Sequence, residues 1–457
     1  NVGNRIMSKV EVNTVEPQCG TTLTLGGSGD TVALGSGASQ TGFGRTGTVD
    51  WDTSIKTSTV TAVTGKGYFV NTTSGGITVN LPAGVVGSIV AISDYASTSA
   101  SNNITVAPNG LEKINGVNDT YVIQTAGLAV TLVYADATKG WKSVTGSDAD
   151  ATGVIPLFVT ASGGTPSTVG DYKVHQFTGP GTLTVSCAGN TAGSDSVDYL
   201  VVAGGGGGAT YYSGAPGTGG GGGGGGFRES KAPGAPWTAS PIVSATSVPV
   251  SATPYTITVG GGGPGSPGSG PIGVKGSDSI FSTITSTGGG LGGNGPGTSP
   301  ASSGGPGGSG GGAGGTACAG TGGTGNTPTV SPAQGTAGGD SAHPGTPSYG
   351  GGGGGGATEA GVNGTPSAGG RGGAGGTTCI SNAPVGYAGG GGGGVYTGCS
   401  VGAASPCGSG GVGGNGPGVP CAAAVNRGGG GGGHGKIVGI AGGNGGSGVV
   451  IIRYKFQ

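Results

Sequence analysis

Side chains able to do acid–base, nucleophilic or metal chemistry are few in this 457-residue chain, and they are scattered. Its histidines are His175, His343 and His434, and beyond residue 200 the carboxylate side chains are Glu229, Asp278, Asp340 and Glu359. Nothing among them has metal-ligand spacing, and no histidine stands in a serine-nucleophile context. His175 lies in an alternating strand-like run and reads as a surface or edge residue. Two glycine motifs imitate phosphate loops. Tyr199–Ala203 runs into Gly204–Gly208 as a dinucleotide fingerprint would, but that fingerprint then needs a helix and an acid about twenty residues on. The chain continues instead with Thr210-Tyr211-Tyr212-Ser213-Gly214-Ala215-Pro216, which cannot start a helix. Gly430 through Lys436 imitates a P-loop, yet Ile437 fills the Ser/Thr position that would bind Mg²⁺. We therefore expect no enzyme, no cofactor and no metal.

Composition narrows the classes further. The chain holds 122 glycines, is 32% hydrophobic and only 8% charged, with a formal net charge of -1. Disordered chains avoid apolar residues and carry excess charge, so solvated disorder fits poorly. Nucleic acid is excluded as a partner, because phosphate binding needs clustered Lys and Arg. The arginines of the glycine-rich part occur singly, at Arg228, Arg371, Arg427 and Arg453. No apolar run approaches the roughly twenty residues of a membrane helix, and no secretory signal is visible. Met7 is the expected natural start. Of seven cysteines, Cys399 and Cys407 could clip one loop shut; the alternative is that they are small buried apolar residues.

Positioning elements fall into three zones. Residues 1–50 carry two short strand-like runs, Thr22–Leu25 and Thr31–Leu34, too little to be stable alone, which points to attachment or oligomerisation. Residues 51–150 predict one antiparallel β-sandwich-like domain. Its strands are read at Thr59–Val63, Gly76–Leu81, Thr120–Gln124 and Ala129–Tyr134, with Val85–Ile92 as a buried central strand. Residues 151–457 hold most of the glycines. Strand-like runs frame them at both ends, Asp198–Ala203 and Gly448–Phe456, suggesting a sheet that opens, feeds out a glycine array and closes again.

Ordering about a hundred glycines costs on the order of tens of kcal/mol relative to alanine, so something systematic must offset it. Glycine at every third position is absent, which excludes collagen. The remaining candidate is the extended three-residue helix at about 3.1 Å rise. Without Cβ atoms such helices pack side by side, and each interhelix hydrogen bond contributes roughly 0.5–1.5 kcal/mol. The expected fold is thus all-β N-terminal modules followed by packed polyglycine II helices framed by β-strands, with essentially no α-helix.

Tyr199–Gly208, Tyr255–Gly263, Ser279–Gly290 and Gly448–Tyr454 resemble the glycine-rich domain at the ends of bacteriophage tail-fibre proteins, and the polyglycine-sandwich adhesins of tail-fibre tips. The resemblance covers about residues 165–457. It implies a tail-fibre or adhesin subunit of the virion, acting outside the cell. Its partners would be a host-cell surface receptor (protein or glycan) and, through the N-terminal region, other fibre proteins, in a homo-oligomer such as a trimer. The segments between glycine runs would then carry the receptor contacts, through Tyr211, Tyr212, Trp237, His343, Tyr349, Tyr387 and Tyr396. Aromatics on rigidly held loops offer contact area at low entropic cost; the competing outcome is that they fold back onto the bundle, as expected for Phe227. Two other functions stay open: a purely structural filament or virion component, and ice binding, against which stands the scarcity of regular Thr-x-Thr faces.

Overall fold

The computed structural model describes residues 15–16, 49–144, 156–191, 193–211, 217–268, 273–295, 302–315, 320–342, 349–396, 400–435 and 439–457. They fall into two compact units, residues 1–154 and 155–457. Among the described residues there is no α-helix. The strand-like runs Thr22–Leu25 and Thr31–Leu34 lie outside the described residues.

The first unit has strands β1 (Asp50–Lys56), β2 (Val60–Thr61), β3 (Lys66–Val70), β4 (Ile77–Asn80), β5 (Ile89–Asp94), β6 (Ile104–Ala107), β7 (Tyr121–Ile123), β8 (Ala129–Asp136) and β9 (Gly140–Ser143). They form two sheets, ordered β1-β3-β5-β8-β9 and β2-β4-β6-β7. β1, β3 and β5 are parallel, as are β2, β4 and β6. Antiparallel pairing enters only with β7, β8 and β9. The expected antiparallel domain is therefore corrected to a mixed one. Period-two alternation reports a half-buried strand whatever its partner's direction. Direction is set by the connections: β1 to β6 alternate between the sheets, so neighbours within a sheet lie one coil apart and run the same way. Val85 and Val86 are exposed, and the buried strand begins only at Ile89. The core includes Val70, Ile92, Ile104, Leu132 and Trp141; Tyr134 meets Trp141 edge-on at 5.6 Å.

The second unit continues with β10 (Thr160–Ser162), β11 (Thr165–Val169), β12 (Tyr172–Phe177), β13 (Gly181–Cys187), β14 (Ser196–Val202), β15 (Phe227–Glu229), β16 (Val248–Pro249), β17 (Pro254–Thr258), β18 (Ser279–Phe281), β19 (Ile284–Ser286), β20 (Gly376–Thr378), β21 (Val385–Tyr387) and β22 (Val449–Lys455). One sheet runs β10-β13-β17-β18-β19, a second β11-β12-β22-β14-β15, with β16 also on β14, and β20 pairs with β21 in a separate two-stranded sheet. Leu183, Ile257 and Phe281 of the first pack against Phe177, Tyr199 and Ile452 of the second. By strand alternation, the second sheet's opposite face presents Leu200, Val202 and Ile451, which pack with Trp237, Ile380 and Tyr387. His175 is corrected from edge to interior. β12 lies between β11 and β22, and the ring is 2% exposed, its Nδ1–H donating to Gly163 O at 2.7 Å and its Nε2 accepting from the Tyr454 hydroxyl at 3.0 Å.

The chain leaves this sheet at Val202, rejoins it briefly at β15 and β16, and makes its last return at Val449, which pairs with Val202 across β14 and β22. Between them the glycine segments make a lattice with a period of three. Along 219–226, the amides of Gly219, Gly222 and Gly225 donate to His434, Gly431 and Gly428; those of Gly220, Gly223 and Gly226 donate to Gly293, Gly290 and Thr287; those of Gly221 and Gly224 donate to Gly352 and Gly355. The carbonyls repeat the pattern towards three further segments, accepting from Gly394 and Gly391, from Ala209, Gly206 and Ala203, and from Gly312 and Ser309. One segment is thus bonded to six neighbours, and residues three apart always address the same one. This meets the demand that buried backbone groups be paired without any side chain.

Candidate functional site

The lattice registers fix which connections share an end. Segment 203–209 leads away from β14, and 219–226 returns antiparallel to it into β15, so Ala209 and Gly219 stand at the end far from the sheets. Segments 287–295 and 428–435 run parallel to 203–209 (Gly289 and Gly292 donate to Gly204 and Gly207; Gly431 and His434 to Gly206 and Ala209). Segments 308–315 and 388–395 run antiparallel to 219–226, and 350–356 runs parallel to it. The described segment ends Gly295, Gly315, Gly350, Val395 and Gly435 therefore all lie at that same far end. Bridges tie the segment ends into a rim: Tyr211 with Gly295, Thr218 with Gly315 and Gly435, Val395 with Gly350 and Asn415.

At this rim stand three of the candidate aromatics. Tyr211 is half-buried. Tyr349 is 8% exposed and meets the half-buried Tyr396 edge-on at 6.3 Å, while the Tyr396 amide donates to the Tyr349 carbonyl at 3.2 Å. Tyr212, His343 and Cys399 lie outside the described residues. Beneath the rim, Thr218 Oγ1, Asn294 Oδ1 and His434 Nδ1 are buried without a hydrogen bond. His434 donates through Nε2 to Gly416 O at 3.1 Å, and burial pushes its pKa below the ordinary value.

Trp237 and Tyr387 belong elsewhere. Both are buried, at 6% and 4% exposure, against the β12–β22–β14 face near the sheets. The expectation of exposed loop-tip aromatics is corrected for them and for Tyr349, because large rings gain more from burial than from projecting into water. Phe227 is 1% exposed and packs in the same cluster. Cys407 carries a free thiol, 3.1 Å from Ser409 Oγ.

Sequence reasoning passed over three charges in apolar surroundings. Arg453 and Asp198 face each other across β22 and β14, and Glu229 lies in β15; all are buried. Asp198 accepts from Ala232 N at 2.7 Å and Ser247 Oγ at 2.6 Å, and Glu229 from Ser240 N at 2.8 Å. Burial raises both carboxyl pKa values. For two of them the signal was legible: Asp198 and Arg453 each interrupt a run rich in Val, Ile or Leu, where a lone charge needs a partner; Glu229, in Phe227-Arg228-Glu229-Ser230, carries no such signal.

The family model for a glycine-rich domain matches residues 177–455, well over half of the chain. No curated protein matches the sequence.

Proposed function

Because the chain belongs to the glycine-rich domain family, we propose that it is a phage tail-fibre or adhesin subunit that binds a host-cell surface receptor through the far end of its glycine lattice. The lattice segments are read as polyglycine II helices: the period-three registers match a three-residue turn, and the glycine composition permits the close approach. The observation that carries the functional reading is the gathering of segment ends into a bridged rim at one end of a hydrogen-bonded array whose other end is tied into two sheets. A stiff shaft presenting variable loops at one face suits recognition, since contact residues are pre-organised. The subunit carries no catalysis and acts outside the cell as part of the virion. Its N-terminal region joins it to other fibre proteins or to copies of itself.

The test is attachment of the labelled full chain to host envelope fractions, beside variants in which 212–216 or 436–438 is replaced by Gly-Ser of equal length. Loss of attachment with unchanged thermal unfolding supports a receptor face. A wild-type chain that is folded yet binds no host envelope leaves the competing reading, a structural virion component.

A further inference from the structure

The most unusual charge in the second unit is Arg453. It lies in β22, 3% exposed, with Nη1 donating to Ile380 O at 3.0 Å and Nε making no hydrogen bond. Among the described residues no carboxylate stands in ion-pair contact with it, although Asp198 faces it in the strand register. Asp198 spends its hydrogen bonds on Ala232 and Ser247 instead. A buried guanidinium without a closed carboxylate partner is costly to the fold, which points to a function for it.

Aromatic rings flank that guanidinium. Tyr172 lies 4.8 Å from its Cζ and Trp237 5.9 Å. Beside it opens a cavity of about 450 Å³ whose lining includes Val169, Tyr172, Trp237, Thr238, Asn382 and Arg453. On the other side a cavity of about 250 Å³ shares Tyr172 and Arg453 and reaches Asp198, Ser247 and Lys455. The larger volume suits a small organic ligand. Its chemistry is divided between aromatic faces, which accept the C–H faces of a ring, and hydroxyl and amide groups, which pair with ring hydroxyls. Its lining also carries one planar cation, Arg453, and a guanidinium fork matches a carboxylate. A lone guanidinium beside Asp171 and Asp198 fits a monoanion better than a phosphate.

We propose that the Arg453 cleft binds a carboxylated sugar, with the carboxylate on the guanidinium and the sugar ring against Trp237 and Tyr172. The site lies by the sheets, at the other end of the lattice from the loop rim, and does not depend on the rim binding a receptor.

The probes are glucuronate, glucose, acetate and inorganic phosphate, titrated calorimetrically into the full chain. Glucuronate should bind saturably, with glucose, acetate and phosphate each at least about ten-fold weaker, as expected from losing either the charge-assisted fork or the ring contact. In spectra of the indole N–H groups, glucuronate should move the Trp237 signal and leave that of Trp141, in the other unit's core, unmoved. Arg453→Lys keeps the charge but loses the fork and should weaken glucuronate about ten-fold. Should that variant fail to fold, Asn382→Ala and the wild-type indole spectra decide. Equal affinity for glucose and glucuronate, preference for phosphate, or an unmoved Trp237 signal would each overturn the proposal.

Discussion

Gly222 and Gly431 are hydrogen-bonded neighbours at the centre of the lattice, the Gly222 amide donating to the Gly431 carbonyl at 2.8 Å. The Gly222 carbonyl in turn accepts from Gly391 at 2.9 Å. One residue without a side chain thus ties three segments together. A Cβ built on Gly222 would collide with the Gly206 carbonyl oxygen, a backbone atom that cannot swing away.

Gly222→Ala should therefore destabilise the second unit by about 1–3 kcal/mol, the range for forcing extra atoms into a packed interior. Gly261 is exposed, and a Cβ there meets nothing within 4 Å. Gly261→Ala should be neutral or slightly stabilising, by up to about 1 kcal/mol, through the unfolded chain. Urea denaturation of both variants checks the pair. Equal losses would mean that glycine content, not lattice contact, sets the sensitivity.

The buried carboxyls make stability depend on pH in a stated direction. Burial raises the pKa of Glu229 above its ordinary 4.5, against hydrogen bonds from Ser240 and Thr378. The folded state then holds its proton more tightly than the unfolded state. Its contribution is full below 4.5 and is lost as pH rises through the higher folded value. Glu229→Gln keeps an acceptor for the Ser240 amide and removes the charge. Unfolding temperatures measured across the acid-to-neutral range should fall less steeply with rising pH in this variant, and its stability at neutral pH should match or exceed that of the parent chain. A parallel slope would assign the dependence to other groups, of which Asp198, raised by burial in the same way, is the first to examine.

Histidines act in the opposite sense. Burial lowers the pKa of His175 below 6.5, assisted by the charge of Lys173 and opposed by the hydrogen bond to Gly163. Here the unfolded state takes the proton more readily, so stability is lost as pH falls from 6.5 through the folded value. His175→Gln should cost stability at neutral pH through the lost stack on Tyr454, whose ring lies 5.6 Å away, yet show a shallower loss on acidification. Comparing denaturation midpoints at about pH 7.5 and about pH 5 isolates this change in slope. Some slope should remain, because His434 is lowered by burial as well.

Much of this architecture was legible in residue order. Runs such as Tyr199–Ala203 and Gly448–Tyr454 signal buried strands by apolar content alone, and they do pair across β14 and β22. Glycine runs with no collagen period left few ordered alternatives. The features that stayed hidden depend on long-range partners. The parallel sense of β1, β3 and β5 is set by where each connection leads, not by any strand's own pattern. The burial of Trp237 comes from segment 230–242 folding back over a sheet face completed by β22, more than two hundred residues away. Tyr349 and Tyr396 meet because two lattice segments end at the same rim, which spacing does not encode.

The candidate aromatics should separate into two classes by experiment. Trp237→Ala and Tyr387→Ala remove rings packed against Leu200, Val202 and Ile451 and should cost about 3–5 kcal/mol, the usual range for deleting a buried aromatic. Tyr211→Ala and Tyr396→Ala act at the half-buried rim. For Tyr396 the loss is the edge-on contact with Tyr349, worth about 0.5–1.5 kcal/mol, and global unfolding should move little. If the rim is the receptor face, these two rim variants together should reduce attachment to host envelope while the unfolding temperature stays near that of the parent. Unchanged attachment by the folded double variant would remove the rim tyrosines from the contact and leave residues 212–216 and 397–399, which follow them in the chain, as the segments to replace next.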